Sequence, residues 1–252
     1  GLSADRDFQP AKLTDFLNLK TQTFEFQNLP KNQSLNTHLI TQTWFYMMYS
    51  VGYLWKVTGI SWPVVDYFVA FLFALSTCFA YGLFRTLAGP WTSLAGALFF
   101  AFSPLQKSYL GQFRDYSKVP FLIASLFLLF VYVQRPLSKS QRFLLAIAVG
   151  AVAGVGYGFR GDLIVVVPFA ALALFLFQPE GLKKNPLQRL ALVFSFVTSF
   201  VIVAWPILRA NGSMGSCTWH FILGGFADSF TETLGLQRSL YSWLFEANDR
   251  SI

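Results

Sequence analysis

Charged residues are scarce in this chain of 252 residues, of which 12% are charged and 54% are hydrophobic. A soluble domain carries about 25% charged residues, so a single buried core cannot absorb this apolar surface and lipid must cover much of it. The two cysteines, Cys78 and Cys217, lie far apart, which argues against a disulfide framework. His38 and His220 are isolated, so a histidine-based metal site is not expected. The sequence also lacks a P-loop, a dinucleotide fingerprint and a Ser-His-Asp arrangement.

Long apolar runs take the place of these motifs, and they predict an all-α polytopic membrane protein. The formal net charge of +7 does not indicate nucleic-acid binding, because the basic residues lie in loops between the runs. Residues 61–209 are predicted to form a six-helix transmembrane bundle. Its spans are predicted at residues 64–87, 91–105, 119–133, 143–159, 163–177 and 190–208.

The basic loops predict the orientation of this bundle, because loops rich in Lys and Arg stay in the cytoplasm. The two basic loops expected there contain Arg135, Lys139 and Arg142, and Lys183, Lys184 and Arg189. Residues 1–60 are then predicted to be an external acidic loop followed by an interfacial aromatic helix over Leu39 to Ile60. If that helix crossed the bilayer instead, residues 1–37 would be cytoplasmic. Residues 210–252 are predicted to be an external loop or tail.

A small-residue seam is predicted on one helix of the bundle. Gly150, Gly154 and Gly158 recur every four residues and would lie on one face. Such a seam lets a second helix approach closely. We assign it a packing role and no catalytic role.

Two groups of charged residues on the predicted outer side are candidate functional residues. Asp5 and Asp7 can together hold a divalent cation or supply a general base, although a solvated loop would show the same pattern. Arg114, Asp115 and Lys118 lie where a helix meets the interface, which is a common place for functional charges. An ion pair that merely snorkels to the interface explains this second group equally well.

A third group, Arg160 and Asp162, caps two consecutive predicted helices at the same outer level. A planar guanidinium binds phosphate oxygens in pairs, and the alternative is an arginine that anchors the helix end. Taken together, the three groups bring acids and arginines from three loops to one membrane face. This arrangement suits an anionic lipid headgroup and a reaction at the interface.

Four features follow one another along residues 1–209. They are the acidic segment Asp5–Asp7 with its aromatic run, the turn Arg85–Gly89 before Ser103–Pro104, the pair Arg114–Asp115, and the turn Gly158–Leu163. This order resembles the membrane glycosyltransferases of the GT-C class, such as the protein mannosyltransferases and aminoarabinose transferases. The last turn is similar to the family's Arg-Pro-Asp or Arg-Pro-Glu turn, with Gly161 in place of the proline.

The resemblance implies a GT-C-like helical bundle that moves a sugar from a polyprenyl-phosphate donor to an acceptor. The reaction would take place on the outer face, which is periplasmic in a bacterial inner membrane. Asp5 or Asp7 would act as general base or hold Mg²⁺ or Mn²⁺, and Asp115 would position the acceptor or the metal. The donor phosphate would be bound by the basic residues Arg114, Lys118 and Arg160, with Asp162 as a further site residue.

Two other functions fit the same pattern. A non-catalytic GT-C-like subunit, packed against membrane protein partners in a larger complex, would share the bundle, the aromatic content and the glycine seam. A transporter is the third interpretation, and the lack of charge in the middle of the runs argues against it. The family's first transmembrane helix precedes the acidic segment, so the chain is expected to be part of a longer protein.

Overall fold

The computed structural model describes residues 15, 19–24, 44–177 and 186–212. The chain separates into two compact units, residues 1–207 and residues 208–252. The helices of the described part are α1 (Phe45–Thr58), α2 (Trp62–Leu87), α3 (Pro90–Phe102), α4 (Pro104–Leu110), α5 (Phe113–Tyr116), α6 (Val119–Gln134), α7 (Lys139–Phe159), α8 (Val166–Leu176) and α9 (Pro186–Gly212). A 3-10 helix, Gly161–Val165, joins α7 to α8.

Two strands of two residues each, β1 (Thr23–Phe24) and β2 (Ile60–Ser61), pair in antiparallel register with Thr23 opposite Ser61. Gly59 makes the turn between α1 and β2 with a φ of 88°, a conformation that glycine adopts without a steric penalty. The pair therefore ties a segment before α1 to the start of α2.

Proline residues set the starts of several helices. Pro63, Pro90, Pro104 and Pro120 each lie in a first helical turn, where the missing N–H costs no hydrogen bond. Helix α7 begins differently, with a capping box in which Ser138 and Gln141 exchange hydrogen bonds. The apolar runs are thus divided into helices by local chemistry.

Four helical segments among the described residues are long and apolar enough to cross a membrane: Trp62–Leu87, Phe113–Gln134, Lys139–Phe159 and Pro186–Arg209. They confirm the prediction of an all-α polytopic membrane protein. The other two predicted spans are shorter apolar segments, Pro90–Phe102 and Gly161–Leu176. Helix α1, with 14 residues, rises about 21 Å, less than the ~30 Å of a hydrocarbon core. This length agrees with its predicted interfacial position, which stays a prediction.

Helix α7 lies at the centre of the bundle and packs against α1, α6 and α8. It also packs closely on α9, because its glycines leave room for the α9 backbone. A Cβ added at Gly150 would lie 2.3 Å from the carbonyl oxygen of Phe196, and one at Gly154 would lie 2.9 Å from Cβ of Val203. Across this seam the Ser199 hydroxyl donates to the carbonyl oxygen of Ile147 at 2.8 Å.

Helix α1 is fixed to the C-terminal parts of α7 and α9 by Tyr46. Its ring occupies the space beside Gly158, and its hydroxyl donates to the carbonyl oxygen of Val203. Burial raises the pKa of the Tyr46 hydroxyl, so the group stays a protonated donor. Pro206 interrupts α9 nearby and removes the helical donor for the carbonyl of Ile202.

Candidate functional site

Five of the seven predicted site residues lie together at one end of the bundle. The α5 helix carries Arg114 and Asp115, and Lys118 directly precedes α6. Arg160 follows the last residue of α7, and Asp162 lies in the 3-10 helix. Because α6 and α7 are packed neighbours that run in opposite directions, the start of α6 and the end of α7 meet. We call these five residues the ion cluster.

Arg160 is the central cation of the ion cluster. Its Nη1 atom pairs with Oδ1 of Asp115, and its Nε lies 3.3 Å from Oδ2 of Asp162. The Nζ of Lys118 pairs with the same Oδ2 atom of Asp162. Arg160 and Asp115 are each 21% exposed, so this pair is screened less by water than a pair on the open surface.

Arg114 is held differently from the other two cations. Its Nε lies 3.6 Å from Oδ1 of Asp115, beyond normal hydrogen-bond distance, and its side chain is 56% exposed. Its Cζ lies 5.3 Å from the ring centroid of Trp44, which is within cation–π range. Sequence reasoning did not identify Trp44, because nothing in the sequence links it to a residue 70 positions away.

Aromatic side chains hold the two loops of the ion cluster in place. Phe113 precedes Arg114 and Phe159 precedes Arg160, and both rings contact Phe68 of α2, at centroid distances of 5.9 and 6.4 Å. The next residue on α5 after Asp115 is the buried Tyr116, which anchors this short helix in the bundle. Apolar contacts on either side of the charged residues therefore hold the ion cluster at this end of the bundle.

The backbone turns abruptly at Arg160, which places two charges close together. Arg160 is extended (φ −157°, ψ 124°), and its N–H still donates to the carbonyl oxygen of Gly156 at the end of α7. Its own carbonyl accepts from the N–H of Leu163 at 3.1 Å, which starts the 3-10 helix. Arg160 and Asp162 consequently contact each other although they lie in different elements.

The charge balance of the ion cluster favours an anion. Three cations and two carboxylates leave a net charge of +1, and both carboxylates already have cationic partners. This composition suits a phosphate and does not fit a divalent cation, which needs several free carboxylate or carbonyl oxygens. No group of three His, Cys, Asp or Glu residues able to hold a metal occurs in the described part of the chain.

The two remaining predicted site residues, Asp5 and Asp7, lie outside the described residues. Their assignment as general base or as metal ligands therefore stays a prediction.

Residues 45–205 match the model of a family described as dolichyl-phosphate-mannose-protein mannosyltransferase. The match covers more than half of the chain and contains the whole ion cluster, and the chain belongs to this family. It confirms the resemblance to membrane glycosyltransferases of the GT-C class. No curated protein and no solved structure matches the chain.

Proposed function

We propose that this member of the mannosyltransferase family moves a sugar from a polyprenyl-phosphate donor to an acceptor at the periplasmic face of a bacterial inner membrane. Family membership supports a membrane glycosyltransferase in general. The observation that carries the proposal about the donor is the ion cluster, whose cations outnumber its carboxylates. It lies at the ends of helices long and apolar enough to cross a bilayer, which is where the phosphate of a lipid-linked donor would be found.

In the proposed reaction an acceptor hydroxyl oxygen forms a bond to the anomeric carbon of the sugar. The bond from that carbon to the phosphate oxygen breaks, and polyprenyl phosphate leaves with the bonding electrons. Negative charge develops on the leaving oxygen, and Arg114, Lys118 and Arg160 would stabilise it electrostatically. The acceptor proton passes to a carboxylate, assigned to Asp5 or Asp7, while Asp115 positions the acceptor.

The pairs within the ion cluster support this assignment. Arg160 and Lys118 are held in position by Asp115 and Asp162 before any ligand arrives. A charge that is already positioned needs no reorganisation when the transition state forms, which is the condition for effective electrostatic catalysis. A divalent cation, Mg²⁺ or Mn²⁺, remains part of the proposal only at Asp5 and Asp7, and no step above depends on it.

The proposal is tested by mass spectrometry of the lipids that remain bound to the gently purified protein. We expect a polyprenyl phosphate, with or without its sugar, in the wild type and about tenfold less of it in Arg160→Ala. The control is Arg85→Ala, which removes an exposed arginine at the opposite end of the bundle. If only bulk phospholipid is found, and Arg160→Ala does not change it, the donor assignment is wrong.

That second outcome would favour the non-catalytic subunit with membrane protein partners. One of its original arguments is weakened by the fold, because the glycine seam already packs against α9 and Tyr46 within the chain. The seam therefore offers no free surface to a partner along Gly150, Gly154 and Gly158.

A further inference from the structure

We infer that Trp44 is a positioning residue for the donor phosphate, because its indole ring holds Arg114, the most exposed cation of the ion cluster, without using its hydrogen-bond donors. The inference rests on the proposed function, since it concerns the same phosphate. Trp44 lies one residue before the region that matches the family model.

The three cations of the ion cluster differ in their contacts with the two carboxylates. Arg160 contacts both carboxylates, and Lys118 pairs with Asp162. Arg114 approaches only Asp115, at 3.6 Å, and none of its five N–H donors makes a hydrogen bond to the described part of the chain. The net charge of +1 is therefore located at Arg114, the most exposed of the three.

The contact with Trp44 restrains this arginine without using its donors. A guanidinium over an aromatic face is attracted by the ring quadrupole, and its N–H groups remain available for an oxyanion. An arginine that pairs with carboxylates uses some of its five N–H donors in those pairs, whereas Arg114 keeps its donors for a phosphate. The ring thus reduces the conformational entropy that Arg114 would lose on binding.

Trp44 is itself held in place independently of Arg114. Its carbonyl oxygen accepts from the N–H of Met48 at 2.9 Å, which starts α1. Two residues further along, Tyr46 fixes α1 to α9 through Val203 and packs beside Gly158 of α7. The backbone that carries the indole is therefore fixed without any contribution from Arg114, and the exposed Arg114 side chain rests on the ring.

The experiment measures binding of decaprenyl phosphate to the full chain in detergent, with decaprenol as the probe that lacks the phosphate. We expect Trp44→Ala and Trp44→Leu to raise the dissociation constant about three- to tenfold, and Trp44→Phe to keep it near the wild type. Leucine retains apolar bulk without the quadrupole, so it separates cation–π attraction from packing. Trp91→Ala removes an exposed tryptophan from the start of α3 and should change nothing.

A double mutant decides whether Trp44 acts through Arg114. Arg114→Ala should weaken binding about tenfold or more, and adding Trp44→Ala to it should cause no further loss, because the two residues act as one unit. Decaprenol binding should be equal in all variants.

Four outcomes would overturn the inference. They are wild-type affinity in Trp44→Ala, full rescue by leucine, additive losses in the double mutant, or a matching loss of decaprenol binding. In each of these cases the wild type still binds the phosphate and the proposed function stands. A wild type that does not distinguish decaprenyl phosphate from decaprenol would overturn the proposed function and this inference together.

Discussion

The charged side chains of the ion cluster contribute unequally to the stability of the fold. Arg160 is largely shielded from solvent and contacts Asp115 and Asp162, so removing it leaves two carboxylates with fewer partners. Arg114 is exposed and approaches Asp115 only at long range. An exposed ion pair contributes little, whereas a shielded carboxylate that loses its partner is costly.

We therefore expect Arg160→Ala to lower the free energy of unfolding by about 1–3 kcal/mol. Arg114→Ala should change it by less than about 0.5 kcal/mol. Thermal unfolding of both variants in the same detergent compares the two. If the two variants lose the same free energy of unfolding, Arg160 stabilises the fold no more than Arg114 does.

The sequence predicts which residues form the ion cluster, but it does not predict which of them pair with each other. Charges are scarce, so Arg114, Asp115 and Arg160 were conspicuous on the predicted outer side. The neighbours Arg114 and Asp115 suggested a local pair, yet Asp115 pairs more closely with Arg160 across two helices. Such contacts depend on how α6 packs on α7, which a sequence pattern does not encode.

At the scale of elements, the α7–α9 seam brings two helix backbones into close contact. At Gly150 the nearest group is a backbone carbonyl of α9, which cannot rotate away as a side chain can. Adding even one methyl group there requires the two helices to separate. Overpacking of this kind costs about 1–3 kcal/mol.

Gly150→Ala is accordingly expected to destabilise the protein by about 1–3 kcal/mol. The same substitution at Gly52, in the middle of α1, meets no atom within 4 Å. Gly52→Ala should be neutral or stabilise by up to about 1 kcal/mol, because alanine favours the helix. A lower unfolding midpoint in Gly150→Ala, with an unchanged or higher one in Gly52→Ala, is the result expected from close packing of α7 on α9. A Gly150→Ala protein as stable as the wild type would contradict that packing.

The sequence predicted the number and order of the apolar elements better than their lengths. Hydrophobicity continues from Trp91 to Leu105, so the sequence predicts a single span there. The helix nevertheless ends at Phe102, because Ser103 is extended before Pro104, which starts a new helix. A hydropathy pattern averages over such a break.

At the scale of the whole molecule, the bundle has two ends of different character. One end carries the ion cluster, and the opposite end carries Arg85, Arg135 and Lys139 without any described carboxylate partner. The distribution of basic loops predicts that this second end faces the cytoplasm.

This orientation can be measured by cysteine labelling in intact cells, after Cys78 and Cys217 have been replaced by serine. Ser108 in α4 and Ser140 in α7 are both exposed, at opposite ends of the bundle. A membrane-impermeant maleimide should label Ser108→Cys in intact cells and Ser140→Cys only after lysis. The reverse result would place the ion cluster in the cytoplasm.

The short α3 helix has a consequence for the surrounding bilayer. Its 13 residues rise about 20 Å, some 10 Å less than the thickness of a typical hydrocarbon core. Lipids beside so short an apolar segment compress to match it. Helix α3 leads through α4 into α5, which carries Arg114 and Asp115, so the headgroup layer should sink towards the ion cluster on that side. We expect transfer to slow as acyl chains lengthen in a graded series of reconstituted bilayers, which would make this protein sensitive to membrane thickness.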